Sequence, residues 1–155
     1  MKCGRWEYAE HKNASAVVAI AALFEGCLVL TEQFRIPVGR TVIDLPAGLV
    51  GDCTADSGEL AQVAAERELL EETGFKAAIW TESLLVPSSP GLTSETVRIY
   101  LAERLEKISA DGGVSSEEII VHLVSLEEFD AQLEQWLSEG KLIDPKVFVA
   151  LHLLR

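Results

Sequence analysis

The sequence predicts an α/β fold in which strands precede and follow one acidic helix, with two further helices at the C-terminal end. Three observations carry this. Apolar runs rich in β-branched residues recur at strand length, at 15–23 (SAVVAIAAL), 27–34 (CLVLTEQF), 41–45, 77–86, 96–105 and 119–124. Between the third and fourth, the stretch 45–75 contains a loop and then a helix that meets Gly74, where a left-handed terminal residue is wanted. After the last strand, Leu126, Phe129, Leu133 and Leu137 form one stripe of a helix over 126–137 that ends at Gly140. Asp144-Pro145 then opens a final helix through Leu154.

Taken in order, residues 1–14 form a short N-terminal segment, and 1–155 reads as one domain without repeat or linker. Trp6-Glu7-Tyr8 sets an aromatic pair around an acid, and Trp6 by itself reads as edge packing. Phe24-Glu25-Gly26 turns the first strand into a hairpin with the second. The loop from Arg35 to Arg40 carries two guanidiniums, whose planar forks suit phosphate. The third strand leads into Pro46-Ala47-Gly48. Beyond the helix and its following strand, Ser89-Pro90-Gly91 marks a turn. Residues 106–116 form a polar, glycine-containing loop that delivers Glu117 and Glu118 to the last strand. Phe148, Leu151 and His152 are expected to pack. His11, His122 and His152 have no partner legible in the sequence, and none is given a catalytic role.

The acidic helix is the informative element. Glu68, Glu71 and Glu72 stand at i, i+3 and i+4 and share a face, with Arg67 beside them. Like charges at that spacing oppose an isolated helix by a few tenths of a kcal/mol per pair, roughly, so a cation on that face is expected. An all-oxygen ligand set suits Mg²⁺ or Mn²⁺ and not zinc. Asp56 or Ser57 is the expected N-cap. Val63, Leu69 and Leu70 fall on the side away from the carboxylates, and Ala61, Ala64 and Ala65 flank the acidic face, leaving room for ions and ligand. A solvated Glu-rich surface helix is the plain alternative, and Arg67, able to orient the carboxylates, argues against it.

Composition excludes more than it identifies. Lys plus Arg number 13 against 25 Asp plus Glu, a formal net charge of −12. Such a molecule is a poor partner for nucleic-acid backbones or anionic membranes, and an anionic substrate needs local Arg, Lys or metal. Cys3, Cys27 and Cys53 are odd in number and form no C-x-x-C pair, so neither a disulfide framework nor a zinc site is indicated. No signal-like or membrane-length apolar run occurs, and a cytoplasmic location is expected.

Glu59, seven residues, then Arg67-Glu68-Leu69-Leu70-Glu71-Glu72-Thr73-Gly74-Phe75 resembles the Nudix box, G-x5-E-x7-R-E-U-x-E-E-x-G-U, where U is bulky and apolar. The first glycine slot falls on Cys53, whereas Gly48 stands further upstream. Gly51 to Ala55 therefore read as an insertion of about five residues in the preceding loop, of the kind surface loops accept. Glu32 to Arg35, Val38 to Arg40 and Leu45 to Gly48 resemble the ADP-ribose pyrophosphatase branch. So does Ser89-Pro90-Gly91 with Ser94-Glu95, Pro90 lying 16 residues beyond Gly74.

The resemblance implies the Nudix fold, an α/β/α sandwich around a mixed β-sheet, and metal-dependent cleavage of the pyrophosphate of ADP-ribose or a related nucleoside diphosphate sugar. It implies Glu68, Glu72, the Ala47 carbonyl and Glu71 as Mg²⁺ ligands, with Mn²⁺ able to substitute, and catalytic roles for Arg67, Glu68, Glu71, Glu72 and an acid of the late loop, Glu117 or Glu118. Arg35, Arg40 and Arg98 are expected on phosphate, Gly91 and Leu92 in the substrate loop, and Trp6 on adenine beside Glu7. A homodimer is expected. The N-terminal segment is shorter than that branch usually carries, which leaves NADH, FAD and GDP- or UDP-sugars open as substrates. A catalytically silent nucleotide-binding regulator is the alternative outside enzymes.

Overall fold

A computed structural model describes residues 1–12, 16–51, 58–108 and 118–154. An N-terminal ribbon pairs β1 (Lys2–Cys3) with β2 (Trp6–Glu7). The main sheet then begins with the hairpin β3 (Ala16–Phe24) and β4 (Cys27–Arg35). Its turn residues Glu25 and Gly26 both have positive φ, at 51° and 81°, a two-residue connection whose twist suits paired strands. A short 3₁₀ turn (Ile36–Val38) leads to β5 (Arg40–Asp44) and then β6 (Ala47–Val50). Helix α1 (Ala61–Thr73) follows, then β7 (Phe75–Pro87), β8 (Thr96–Lys107), β9 (Ile120–Ser125), α2 (Phe129–Ser138), β10 (Leu142–Ile143) and α3 (Pro145–Leu153).

The sheet runs β10-β5-β4-β3-β8-β7, with β6 also paired to β3 and β9 to β4. It is mixed: β3–β8 and β10–β5 are parallel and the other pairs antiparallel. Strand β3 is the fork. Residues 16–19 pair with β6, whereas Leu23 and Phe24 pair with β4, so β6 and β4 diverge from one another along its edge. Alternation along β3 feeds two cores. Val18, Ile20 and Ala22 meet Ala64, Ala65 and Leu69 of α1, while Ala19 and Ala21 meet Phe129 and Trp136 of α2 and Val147, Ala150 and Leu151 of α3. Helices thus cover both faces of the sheet. Among the described residues no helix is long and apolar enough to cross a membrane.

Several expectations are corrected. The N-cap of α1 is Leu60, without a side-chain cap bond, and Asp56 and Ser57 lie outside the described residues. Leu69 is buried, but Val63 is about half exposed, and Ala64 and Ala65 are sealed in the core instead of lining an open acidic face. Helix α2 begins at Phe129, so Trp136 takes the buried position and Leu137 is exposed. His152 is exposed, and Phe148 is half exposed with its ring edge-on to Phe129. His11 and His122 do have partners, Glu95 and Glu32. The ribbon, β6 and β10 were not anticipated.

Candidate active site

Gly74 closes α1 in the left-handed region, at φ 71°, with its N–H donating to the Leu70 carbonyl. This fixes the last two turns against β6. There Glu72 Oε2 accepts from the Ala47 N–H at 3.0 Å. One turn earlier Glu68 lies over Gly48, where there is no side chain to obstruct its carboxyl. Arg67 holds the row together. Its Nε donates to Glu59 Oε1 at 3.2 Å, Nη1 to Glu68 Oε1 at 2.7 Å and to Glu71 Oε2 at 3.1 Å, and Nη2 to the Leu49 carbonyl at 3.1 Å. Glu59, one residue before the N-cap of α1, in turn accepts from the Gly51 N–H at 2.8 Å, tying the residue after β6 to the start of the helix.

Burial dominates the electrostatics of the row, with Arg67 as the cation that opposes it. Burial raises the Glu68 carboxyl above its ordinary value despite the opposing charge and hydrogen bond of Arg67. Glu72 is pushed to about 8, chiefly by burial, against the Ala47 hydrogen bond, with the Glu68 charge adding and the Arg35 charge opposing. Asp44, at the end of β5, is pushed to about 6 by burial, with Lys146 opposing. Glu59 is held below its ordinary value by Arg67 and the Gly51 amide.

The other expected residues divide. Arg35 and Arg40 are direct register partners across β4 and β5 and lie on one face of that pair, with the Arg35 charge felt at Glu72. Gly91 and Leu92 lie in the turn after β7, where the Leu92 N–H donates to Ser89 O at 2.9 Å. Arg98 is two strands from Gly48, both being register partners of Val18 on opposite edges of β3. It is bonded to Glu82, which also accepts from the Tyr100 hydroxyl, and its Nε is buried without a hydrogen-bond partner among the described residues. Trp6 and Glu7 sit on the exposed ribbon, Glu7 paired with Lys2 at 3.1 Å, and among the described residues neither bonds to α1 or β6. Glu118 is exposed just ahead of β9, and Glu117 lies outside the described residues.

Asp44 and Lys146 were not singled out from the sequence, and they join this region: Lys146, on the first turn of α3, bonds Asp44 and Asp144. His11, given no role from the sequence, bonds Glu95. The available signals were an acid directly before Leu45-Pro46-Ala47-Gly48 and a lysine directly after Asp144-Pro145.

A NUDIX domain model matches residues 12–144. The chain belongs to the NUDIX family. It is 32% identical over 149 residues to the methanol dehydrogenase activator of Bacillus methanolicus, covering 96% of this chain and 75% of that protein. It is 34% identical over 128 residues to the ADP-ribose pyrophosphatase of Bacillus subtilis, covering 82% of this chain and 65% of that protein. A crystal structure of an ADP compounds hydrolase superposes with a TM-score of 0.68 at 25% identity, over 97% of this chain and 73% of that one. The NUDIX fold here carries its acidic row on α1 and meets it with the backbone of β6.

Proposed function

We propose that this chain is a divalent-metal-dependent hydrolase that cleaves the diphosphate of ADP-ribose or a related nucleoside diphosphate sugar, releasing a nucleoside monophosphate and a sugar phosphate. The observation that carries the reading is the placing of Glu68 and Glu72 against the Ala47-Gly48 backbone, Glu68 braced by Arg67 and Glu72 within reach of the Arg35 charge. The names of the Bacillus subtilis relative and of the superposed hydrolase support it.

A metal fits the donor set. Two hard carboxylates whose charged forms burial disfavours want a cation. Among the described residues no three His, Cys, Asp or Glu side chains form a ready cage, so water and phosphate oxygens would complete the coordination, as suits Mg²⁺ or Mn²⁺. Glu68, Glu72 and the Ala47 carbonyl are the proposed ligands, with Glu71, whose carboxyl is held by Arg67, joining them only if it turns from that bond. Bound there, the ion would supply charge neutralisation and lower the pKa of a water for attack on phosphorus.

The chain's own residues do the rest. Arg67 keeps Glu68 and Glu71 in place, and Glu59 keeps Arg67 in place. Arg35 and Arg40 bind phosphate oxygens and offset the repulsion of a highly acidic protein. Glu117 or Glu118 is the proposed acceptor of the attacking water's proton. Gly91 and Leu92 shape the sugar side. Trp6 and Glu7, exposed on their ribbon, serve adenine in the other copy of a cytoplasmic homodimer. Arg98, engaged with Glu82, takes part only if that pair opens.

The test is a panel of ADP-ribose, GDP- and UDP-sugars, NADH and FAD with Mg²⁺, assayed for released nucleoside monophosphate, with Glu72→Gln as control. Release from ADP-ribose that Glu72→Gln abolishes is expected. No release from any member would overturn the reading and favour a nucleotide-binding regulator, an alternative to which the activator's name gives some weight.

A further inference from the structure

The loop that meets Glu72 is anchored from an unexpected direction. Lys146 Nζ lies 3.1 Å from Asp44 Oδ2 and 2.8 Å from Asp144 Oδ1. Asp44 Oδ1 accepts from the Leu45 N–H at 2.7 Å, so one carboxylate is held by α3 on one oxygen and holds the start of the Leu45-Pro46-Ala47 turn with the other. Asp144 completes the tie, since its N–H donates to Ile43 O at 2.9 Å and its Oδ1 accepts from the Lys146 N–H at 2.9 Å. The turn is fixed further by Ile20 N–H to Pro46 O at 2.8 Å, and it ends at the Ala47 amide that bonds Glu72. The Asp44 side chain is only 10% exposed and that of Lys146 18%. Water therefore competes weakly for this pair, unlike an exposed ion pair.

We infer that Lys146 is a positioning residue: through Asp44 it fixes the Leu45-Pro46-Ala47 turn, and so the place of Glu72 and the Ala47 carbonyl around the metal. This rests on the proposed metal role of Glu72. Lys146 has a second duty by the same geometry. Occupied by the amine, Asp44 is kept from turning toward the acidic row as an extra carboxylate ligand. Outer contacts of this kind orient ligands without touching the ion.

The test is calorimetric titration of the full chain with Mn²⁺, alongside turnover of ADP-ribose, for wild type, Lys146→Met, Lys146→Arg and the doubly neutral Asp44→Asn/Lys146→Met. Lys146→Met is expected to weaken Mn²⁺ binding by about 10- to 100-fold, with kcat falling in parallel and KM little changed, and Lys146→Arg to recover most of the loss. The double variant, which leaves no buried charge unpaired, keeps a cooperative melt and still binds Mn²⁺ more weakly than wild type. Wild-type Mn²⁺ affinity in Lys146→Met or in the double variant would overturn the proposal, as would Lys146→Arg matching Lys146→Met. If wild type binds Mn²⁺ but hydrolyses nothing, the substrate reading fails and the brace is still judged by affinity. If wild type binds no Mn²⁺, the metal role itself fails and takes the brace with it.

Discussion

Gly48 lies so close beneath Glu68 that a Cβ there would fall 2.0 Å from the Glu68 carboxyl carbon. The obstructed group is the far end of a flexible side chain, so Gly48→Ala should be absorbed by moving Glu68 and not by moving backbone. Folding is expected to survive, with a change of about 1 kcal/mol or less, while turnover falls by about 100-fold or more because a ligand is misplaced. Thermal melting and single-substrate kinetics on the same preparation check both halves. An active Gly48→Ala variant would show that Glu68 is not needed where it stands.

Arg67 satisfies three carboxylates and a backbone carbonyl from one guanidinium. Lysine has a single compact ammonium and cannot reproduce that fork. Arg67→Ala should cost about 2 kcal/mol or more by leaving Glu59 and Glu68 partly buried without their cation. Arg67→Lys should recover less than half of this. Urea denaturation midpoints at constant m-value provide the comparison.

Metal binding should release protons. Burial holds Glu72 at about 8 without the ion, so near pH 7 much of it is protonated and must ionise to become a ligand. A carboxyl raised above its unfolded value costs stability progressively as pH climbs from about 4.5 toward the folded value of about 8. The metal-free protein should therefore lose stability over that interval, by a few kcal/mol, roughly. Saturating Mg²⁺ should remove most of the Glu72 share of this slope, and Glu72→Gln should remove that share without metal, leaving what Asp44 and Glu68, also raised by burial, contribute. Melts in chelator and in Mg²⁺ across that pH range check it, as do titrations in buffers of different ionisation enthalpy.

What the sequence disclosed was what is local. The run from Arg67 to Gly74 could be placed on a helix, with its terminator, because both period and cap are written within a few residues. Arg67 could be expected to reach Glu71 because i and i+4 side chains share a helix face, whereas its bond to Glu68, at i+1, is not given by that spacing and needs the length of the arginine side chain. Strand β6 was missed because Ala47–Val50 is four residues with a glycine, and only pairing with residues 16–19 makes it a strand. The Asp44–Lys146 contact joins positions far apart in sequence, and no local pattern announces it. In α2 the apolar stripe was legible but its phase was not. Starting the helix at Phe129 centres the buried side on Phe129, Leu133 and Trp136, leaving Leu137 at its margin.

The last prediction concerns the loop that carries Gly91 and Leu92. The Ala9 N–H donates to Leu92 O at 2.8 Å and Ala9 O accepts from the Ser94 N–H at 3.2 Å, so the N-terminal segment is laid along that loop. His11 Nε2 and Glu95 Oε2, 2.5 Å apart, fasten the two together. Burial would raise the Glu95 carboxyl, but hydrogen bonds from His11 and Ser88 and the charges of His11 and Lys146 hold it below its ordinary value. A depressed carboxyl contributes stability that is fully present above its ordinary value of 4.5 and is lost as pH falls through the lower folded value. Glu95→Gln should therefore be less stable than wild type at neutral pH by about 1 kcal/mol, since His11 is partly exposed. The difference should vanish once the pH has fallen below the folded value and the wild-type carboxyl is protonated as well. Amide exchange at Leu92 to Ser94 and at Ala9 should quicken in the variant at neutral pH, whereas α2 and α3 stay unchanged. Equal exchange in both proteins would mean that the backbone bonds of Ala9 hold the loop without the His11–Glu95 contact.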